Sequence, residues 1–309
     1  MNIDATVLVL LTITAAATPL LFAALGELVV EKSGVLNLGV EGMMLAGAVT
    51  AFAVAVTTGS GALGVVAGAI AGAAMAFVFG LLTLTLAANQ VATGLALTIF
   101  GVGLSALAGA SFVGVPVIPL PKLVDPDSTG VPAIGRLFLA HDALVYVSIA
   151  ATAGVAWFLK KSRGGMILRA VGESDLSAHS IGYSVIGVRY RAVLFGGFMS
   201  GLGGAFLSLS YTPMWAEEMT AGRGWIALAL VVFSSWRPWR LLLGAYLFGG
   251  VTILQLYAQG AGGFGIPAQV MSMLPYVATI LVLTAIAAGP WKGRLDAPAC
   301  LGKPFRPST

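Results

Sequence analysis

The sequence has one cysteine and two histidines, and only 9% of its 309 residues are charged. With Cys300 alone there is no internal disulfide and no multi-cysteine metal site. His141 and His179 lie far apart, and neither has the helix-borne histidine or carboxylate companions of a metal site, so no metal is expected. A glycine-lysine-serine/threonine phosphate loop is also missing, which excludes ATP binding by that route. No apolar span offers a cysteine nucleophile or a histidine to activate a serine, and the chain reads as a non-enzyme. The formal net charge of +4 is spread over short loops instead of forming a basic face, which argues against a nucleic-acid partner. Soluble domains carry about 25% charged residues. At 58% hydrophobic, this chain is not one of them.

What the sequence has instead is apolar windows long enough to cross a bilayer core of about 30 Å as helix, the one local structure that satisfies its own backbone in lipid. The expected fold is all-α: a polytopic membrane helix bundle of about nine spans, near 5–25, 38–57, 61–86, 91–110, 143–159, 190–211, 222–236, 241–258 and 268–287. The opening run lacks a basic signal-peptide region and is expected to stay as the first span. Residues 1–309 read as a single transmembrane domain, with a loop at 160–190 and a tail at 288–309. Lysine and arginine mark the cytoplasmic side. Placing 160–191 there puts the basic residues of the tail, Lys32, Arg237 and Arg240 inside as well, leaving only Lys122, Arg136 and Arg223 outside. The N-terminus is then outside and the C-terminus inside. Gly64, Gly68 and Gly72, continued by Ala76 and Gly80, and the pair Gly197 and Gly201, predict close helix packing. A weak likeness between 34–80 and 222–258 suggests an inverted repeat.

Few polar residues enter the spans, and ionisable groups there are costly. In "KSGVLNLGVEGMM", Asn37 and Glu41 are spaced one helical turn apart among three glycines. Two readings stay open. Asn37 caps a helix whose positive end favours Glu41, with Lys32 as an ion-pair partner; or the start is irregular and lines a cavity. Asn89 and Gln90 fall at the same membrane face, as a short turn or as part of an inner gate. In the loop, Glu173 and Asp175 open a short helix-capable run ending near Gly182, with Leu176, Ala178, Ile181 and Tyr183 as an apolar side. Whether 212–221 is a loop or dips into the membrane is not decided at this level.

Three stretches together resemble the permease subunits of bacterial ABC importers: "GELVVEKSGVLNLGVEGMMLAGA", "NQVATGLALTIFGVGLSALAG" and "LRAVGESDLSAHSIGYSV". The nearest likeness is to the nucleoside-type permeases of the ribose and branched-chain amino-acid superfamily, in their shorter form. That resemblance implies an inner-membrane, multi-pass importer subunit that passes a nucleoside or related solute from a binding lipoprotein to the cytoplasm. It further implies a second, longer permease as heterodimeric partner. A separate ABC ATPase subunit would use ATP and Mg, with no cofactor bound by this chain. Gly172, Glu173, Asp175, Ala178, His179, Gly182 and Tyr183 match the helix that couples to the ATPase, though the later proline of other importers' motif is absent. Asn37, Glu41, Asn89 and Gln90 are the candidates for the translocation path. Simple sugars or branched-chain amino acids are alternative solutes, and an ion-coupled secondary transporter is the alternative class.

Overall fold

A computed structural model describes residues 3–124, 132–260 and 297–305, with isolated positions between 267 and 284. Among the described residues the chain is helical, without strands apart from two isolated bridges. Among the described residues, seven helices are long and apolar enough to cross a membrane. They are α1 (Ile3–Lys32), α2 (Val40–Thr58), α3 (Gly61–Gly80, prolonged by a π-turn over Leu81–Thr85), α4 (Gln90–Gly109), α6 (Ala143–Lys161), α9 (Val185–Phe206, prolonged over Leu207–Tyr211) and α11 (Pro238–Gly260). Shorter helices fill the connections: α5 (Ala133–Leu139), α7 (Arg163–Glu173), α8 (Asp175–Ser180) and α10 (Arg223–Phe233).

One expected span differs. The stretch 222–236 is not a crossing: α10 has 11 residues and covers only about 16 Å at 1.5 Å per residue. It is therefore no counterpart in length of the 19-residue α2 that the repeat would pair it with. The expected span at 268–287 lies mostly outside the described residues, as do Lys292, Arg294 and Arg306. The first span also runs further than expected. It continues from 25 to Lys32, carrying Glu27 and Glu31 into the bundle.

Polar residues fix the turns. Side chains of Ser60, Asn89, Asp142, Ser162, Ser174 and Ser184 accept from first-turn amides of the helices they precede, satisfying donors that a helix start leaves free. The bundle is organised on α1 and α9, which pack on one another; α2 and α3 flank α9, α10 and α11 flank α1, and α4 lies outermost on α2. The small-residue faces expected from the sequence are the seams of this core. A methyl group added at Gly47 would meet Gly201 Cα at 2.6 Å, one at Gly68 would meet Gly47 O at 2.7 Å, and ones at Gly72 and Gly204 would strike Gly197 O and Met44 O. Only a missing side chain lets these backbones come so close, and close approach is what binds helices where lipid offers no hydrophobic drive. Outward-facing Ile70, Ile99, Phe100, Leu107 and Leu243 remain exposed, as a bilayer surface requires.

Candidate translocation site

The α2–α3 hairpin sets the depth of the polar segment. Gly64 faces Ala51 and Gly68 faces Gly47, so Val40 lies level with about Met75. The antiparallel α3 runs on through Thr85, and ten residues of rise place the start of α2 about 15 Å from that end of the bundle, near half the thickness of a bilayer core. Past the closing turn of α1, where Ser33, Gly34 and Val35 still donate to Val30 O and Glu31 O, segment 36–39 climbs into the bundle and side chains replace helical partners. Leu36 N donates to Gln90 Oε1 (2.8 Å), Asn37 N to Glu27 Oε1 (3.1 Å) and Gly39 N to Asn37 Oδ1 (2.9 Å), while Leu38 O accepts from Thr98 Oγ1 (3.0 Å). Irregular backbone at this depth needs such partners, because lipid supplies none.

Glu41 meets a second interruption. Its Oε1 accepts from Thr220 Oγ1 (2.6 Å) and Gly222 N (2.8 Å), and its Oε2 from Gly224 N (2.5 Å). These donors belong to the start of α10, so Glu41 caps a helix some 180 positions away in sequence, and not its own. An anion there complements the helix's positive end. Segment 212–222 therefore dips into the bundle: Trp215 packs on Gly109 at the C-terminal end of α4, and Thr220 is buried against Glu41. From Glu41's depth α10 runs toward the C-terminal end of α1, where Trp236 Nε1 donates to Glu31 Oε2 (2.6 Å). Glu218, Ala221, Ser235 and Trp236 all have positive φ. Left-handed backbone is unusual for such residues, so strain sits at both ends of α10, and a buried carboxylate holds each end.

The first open reading of "KSGVLNLGVEGMM" is thereby corrected as to the cap, while Glu41 does lie in the first turn of α2. Gly39, with no side-chain cap, precedes α2. Asn37 makes a local turn, and Glu41 takes its donors from 220–224. Of the four path candidates, Asn37, Glu41 and Gln90 converge on this breach and are buried, and Gln90 Nε2 is left with no partner. Asn89 does not join them; it is exposed and caps α4 through Ala92 N (3.0 Å). Glu27, Glu31, Thr220 and Trp236 were missed by the sequence reading. The signal available was the i, i+4 spacing of Glu27 and Glu31 straight after an apolar run. Glu27 Oε2 is buried without a partner.

The residues matched to the coupling helix fall on α7, α8 and the following turn. Glu173, His179 and Gly182 are exposed, and Asp175 and Tyr183 are half-buried. Gly172 and Ala178 are buried, Gly172 against Lys32 O and Ala178 among Val171 and Val185. The expected apolar side divides. Ala178 faces inward, while Leu176 (57% exposed) and Ile181 (71%) face outward. At the opposite membrane face Asp142 caps α6 and accepts from Ser210. Burial pushes the adjacent His141 below its ordinary pKa, with Asp142 opposing. Among the described residues no cluster of histidine, cysteine and carboxylates could hold a metal.

The family described as "Branched-chain amino acid transport system / permease component" matches residues 9–283. A putative glucose ABC transporter permease, TsgC13 of Haloferax volcanii, is 41% identical over 307 residues, covering 93% of each chain. The guanosine ABC transporter permease NupQ of Bacillus subtilis is 31% identical, covering 94% of this chain and 93% of its own. The nucleoside ABC transporter permease NupC of Lactococcus lactis is 30% identical, covering 86% and 88%. No solved structure matches.

Proposed function

The chain belongs to the branched-chain amino acid transport system permease family, as a multi-pass ABC transporter permease, and from that premise we propose that it passes a nucleoside or a simple sugar into the cytoplasm. A binding lipoprotein delivers the solute from outside, and ATP hydrolysis with Mg in a separate ATPase drives the cycle. The pore forms with a second, longer permease. The N-terminus lies outside and the loop 160–190 and the tail lie inside. The observation that carries the coupling part is the loop between α6 and α9: a capped short helix, α8, held to the bundle by Ala178 while Leu176 and Ile181 stand exposed beside it. An isolated six-residue helix is marginal, and exposed apolar side chains on the basic, cytoplasmic side suit a protein cleft.

The mid-depth breach is the path's candidate control point. Two helices, α2 and α10, begin there, and their junction is Glu41. Movement of α10 about this cap would open or close the bundle without breaking the glycine seams. Asn37, Glu41 and Gln90 are proposed to border the path, with Asn89 at its inner rim. The sugar reading is supported by the 41%-identical relative named for glucose, and the nucleoside reading by the two named for guanosine and nucleosides.

Uptake of radiolabelled guanosine and of glucose into cells expressing the full system tests both levels. ATP depletion is expected to stop uptake while a protonophore, with ATP held constant, leaves it intact. Uptake that survives ATP depletion and collapses with the protonophore would establish the secondary-transporter alternative instead.

A further inference from the structure

Arg189 lies one turn into α9, is 1% exposed, and each of its three guanidinium nitrogens donates to a different segment. Its Nε donates to Ser33 O (3.2 Å), its Nη1 to Lys303 O (3.4 Å), and its Nη2 to Asp175 Oδ2 (3.1 Å). Ser33 begins the irregular climb to Glu41, Asp175 opens α8, and Lys303 belongs to the described part of the tail. The same segments are also tied backbone to backbone: Cys300 N donates to Gly172 O (2.9 Å) and Gly302 N to Gly34 O (3.1 Å). Space at the junction is closed. Gly34 has φ +88°, and a methyl group added there would meet Arg189 Nη2 at 3.0 Å and Cys300 Cβ at 3.3 Å. His179 rests edge-on against Phe305, 5.5 Å between ring centres, so the tail touches α8 as well.

A buried guanidinium needs its charge balanced and its donors satisfied, and a planar fork holds its partners in fixed relative directions. If α8 moves, the Asp175 carboxylate cannot leave without stranding Arg189 or carrying it along, and Ser33 with it. From Ser33 the chain is clamped within four residues by Gln90 and Glu27 and reaches Glu41.

We propose that Arg189 is the positioning residue that transmits movement of α8 to segment 33–41, with the tail segment 297–305 as the third member of the junction. The inference rests on the reading of α8 as the ATPase-docking helix. Arg189 touches neither solute nor nucleotide; it fixes the distance between the docking helix and the mid-depth breach.

The test uses the assembled transporter in proteoliposomes, with Ala216→Cys placing a reporter thiol on the exposed loop before Thr220 and with buried Cys300 left native. The readouts are ATP hydrolysis and the rate at which a maleimide labels position 216, with and without ATP and vanadate. In the otherwise unaltered complex, ATP with vanadate is expected to change the labelling rate. In Arg189→Ala, hydrolysis is expected to persist while that change shrinks about tenfold, within the range of ordinary site-to-site coupling. Arg189→Lys, which keeps the charge without the fork, is expected to restore part of it. A merely structural role would lower yield and both readouts together, and would not separate hydrolysis from labelling. Should Arg189→Ala fail to fold, Arg189→Gln fills more of the space while removing the charge and the fork, and carries the same expectation. A full ATP-driven change in either folded variant overturns the proposal. No hydrolysis and no labelling change even with Arg189 and Asp175 intact would overturn the docking reading, and this proposal with it.

Discussion

The seam where α2, α3 and α9 meet and the breach at 33–41 lie side by side in one bundle and solve opposite problems. The seam removes side chains. Gly47, Gly68, Gly72, Gly201 and Gly204 bring backbones into contact, every residue is helical, and backbone hydrogen bonds stay within each helix. The breach keeps its polar side chains and gives up the helix. Gln90, Glu27, Asn37, Thr98 and Glu41 replace the lost backbone partners one by one. A seam of this kind has a single arrangement, because any slide would drive backbone into backbone. A polar junction can exchange partners, and positive φ angles at Glu218, Ala221, Ser235 and Trp236 put strained backbone at both ends of the helix it holds. The lesson is a division of labour: the seam fixes the frame, and the breach is where the frame can move.

The comparison can be broken most severely from the seam side. Gly204→Val drives a side chain into Met44 O between packed helices, and the expected result is no monodisperse protein in mild detergent. Next comes Glu41→Ala, which takes the acceptor from Thr220 Oγ1, half-buried Gly222 N and buried Gly224 N, at about 1–3 kcal/mol for each buried group. Its expected outcome is a thermal midpoint lowered by several degrees together with loss of uptake. Glu41→Gln, retaining one acceptor oxygen, is expected to fall between Ala and Glu in both measurements. Normal uptake in Glu41→Ala would remove Glu41 from the path. Trp236→Phe is smaller. It takes one donor from buried Glu31 at about 1–3 kcal/mol, leaves the seam untouched, and is expected to speed amide exchange in α10 ahead of α2 and α3. Smallest is Gly103→Ala on the outer face of α4, where an added methyl meets nothing within 4 Å. Thermal unfolding should show it neutral or more stable by up to about 1 kcal/mol, from helix propensity alone.

How much of this was legible in the sequence follows the same divide. The seam was readable because small residues four apart are a local pattern, and Gly64, Gly68 and Gly72 do face α2 and α9. Apolar windows likewise located the seven long helices. The extension of α1 to Lys32 was not legible, since the apolar run stops at 25 and Glu27 and Glu31 suit a loop in lipid; they are helical because protein surrounds them. Nor was the shortness of α10, whose composition stays apolar through Ser234 and Trp236 while its backbone turns. Glu41 was singled out by its cost at depth, but its partners lie 179 to 183 residues away, and no local spacing reports such a contact. Arg189 was counted only as a positive charge marking the cytoplasmic side; its burial depends on a tail more than a hundred residues further on.

The central claim is that this permease is driven through α8 by a separate ATPase. Purification from native membranes in mild detergent, with mass spectrometry of the accompanying chains, tests it most directly. An ATP-binding subunit, a longer permease and a binding lipoprotein are expected with the unaltered chain, and the ATPase is expected to be lost when exposed Ile181 is changed to Asp. Recovery of this chain alone, still transporting after reconstitution without ATP, would contradict the account.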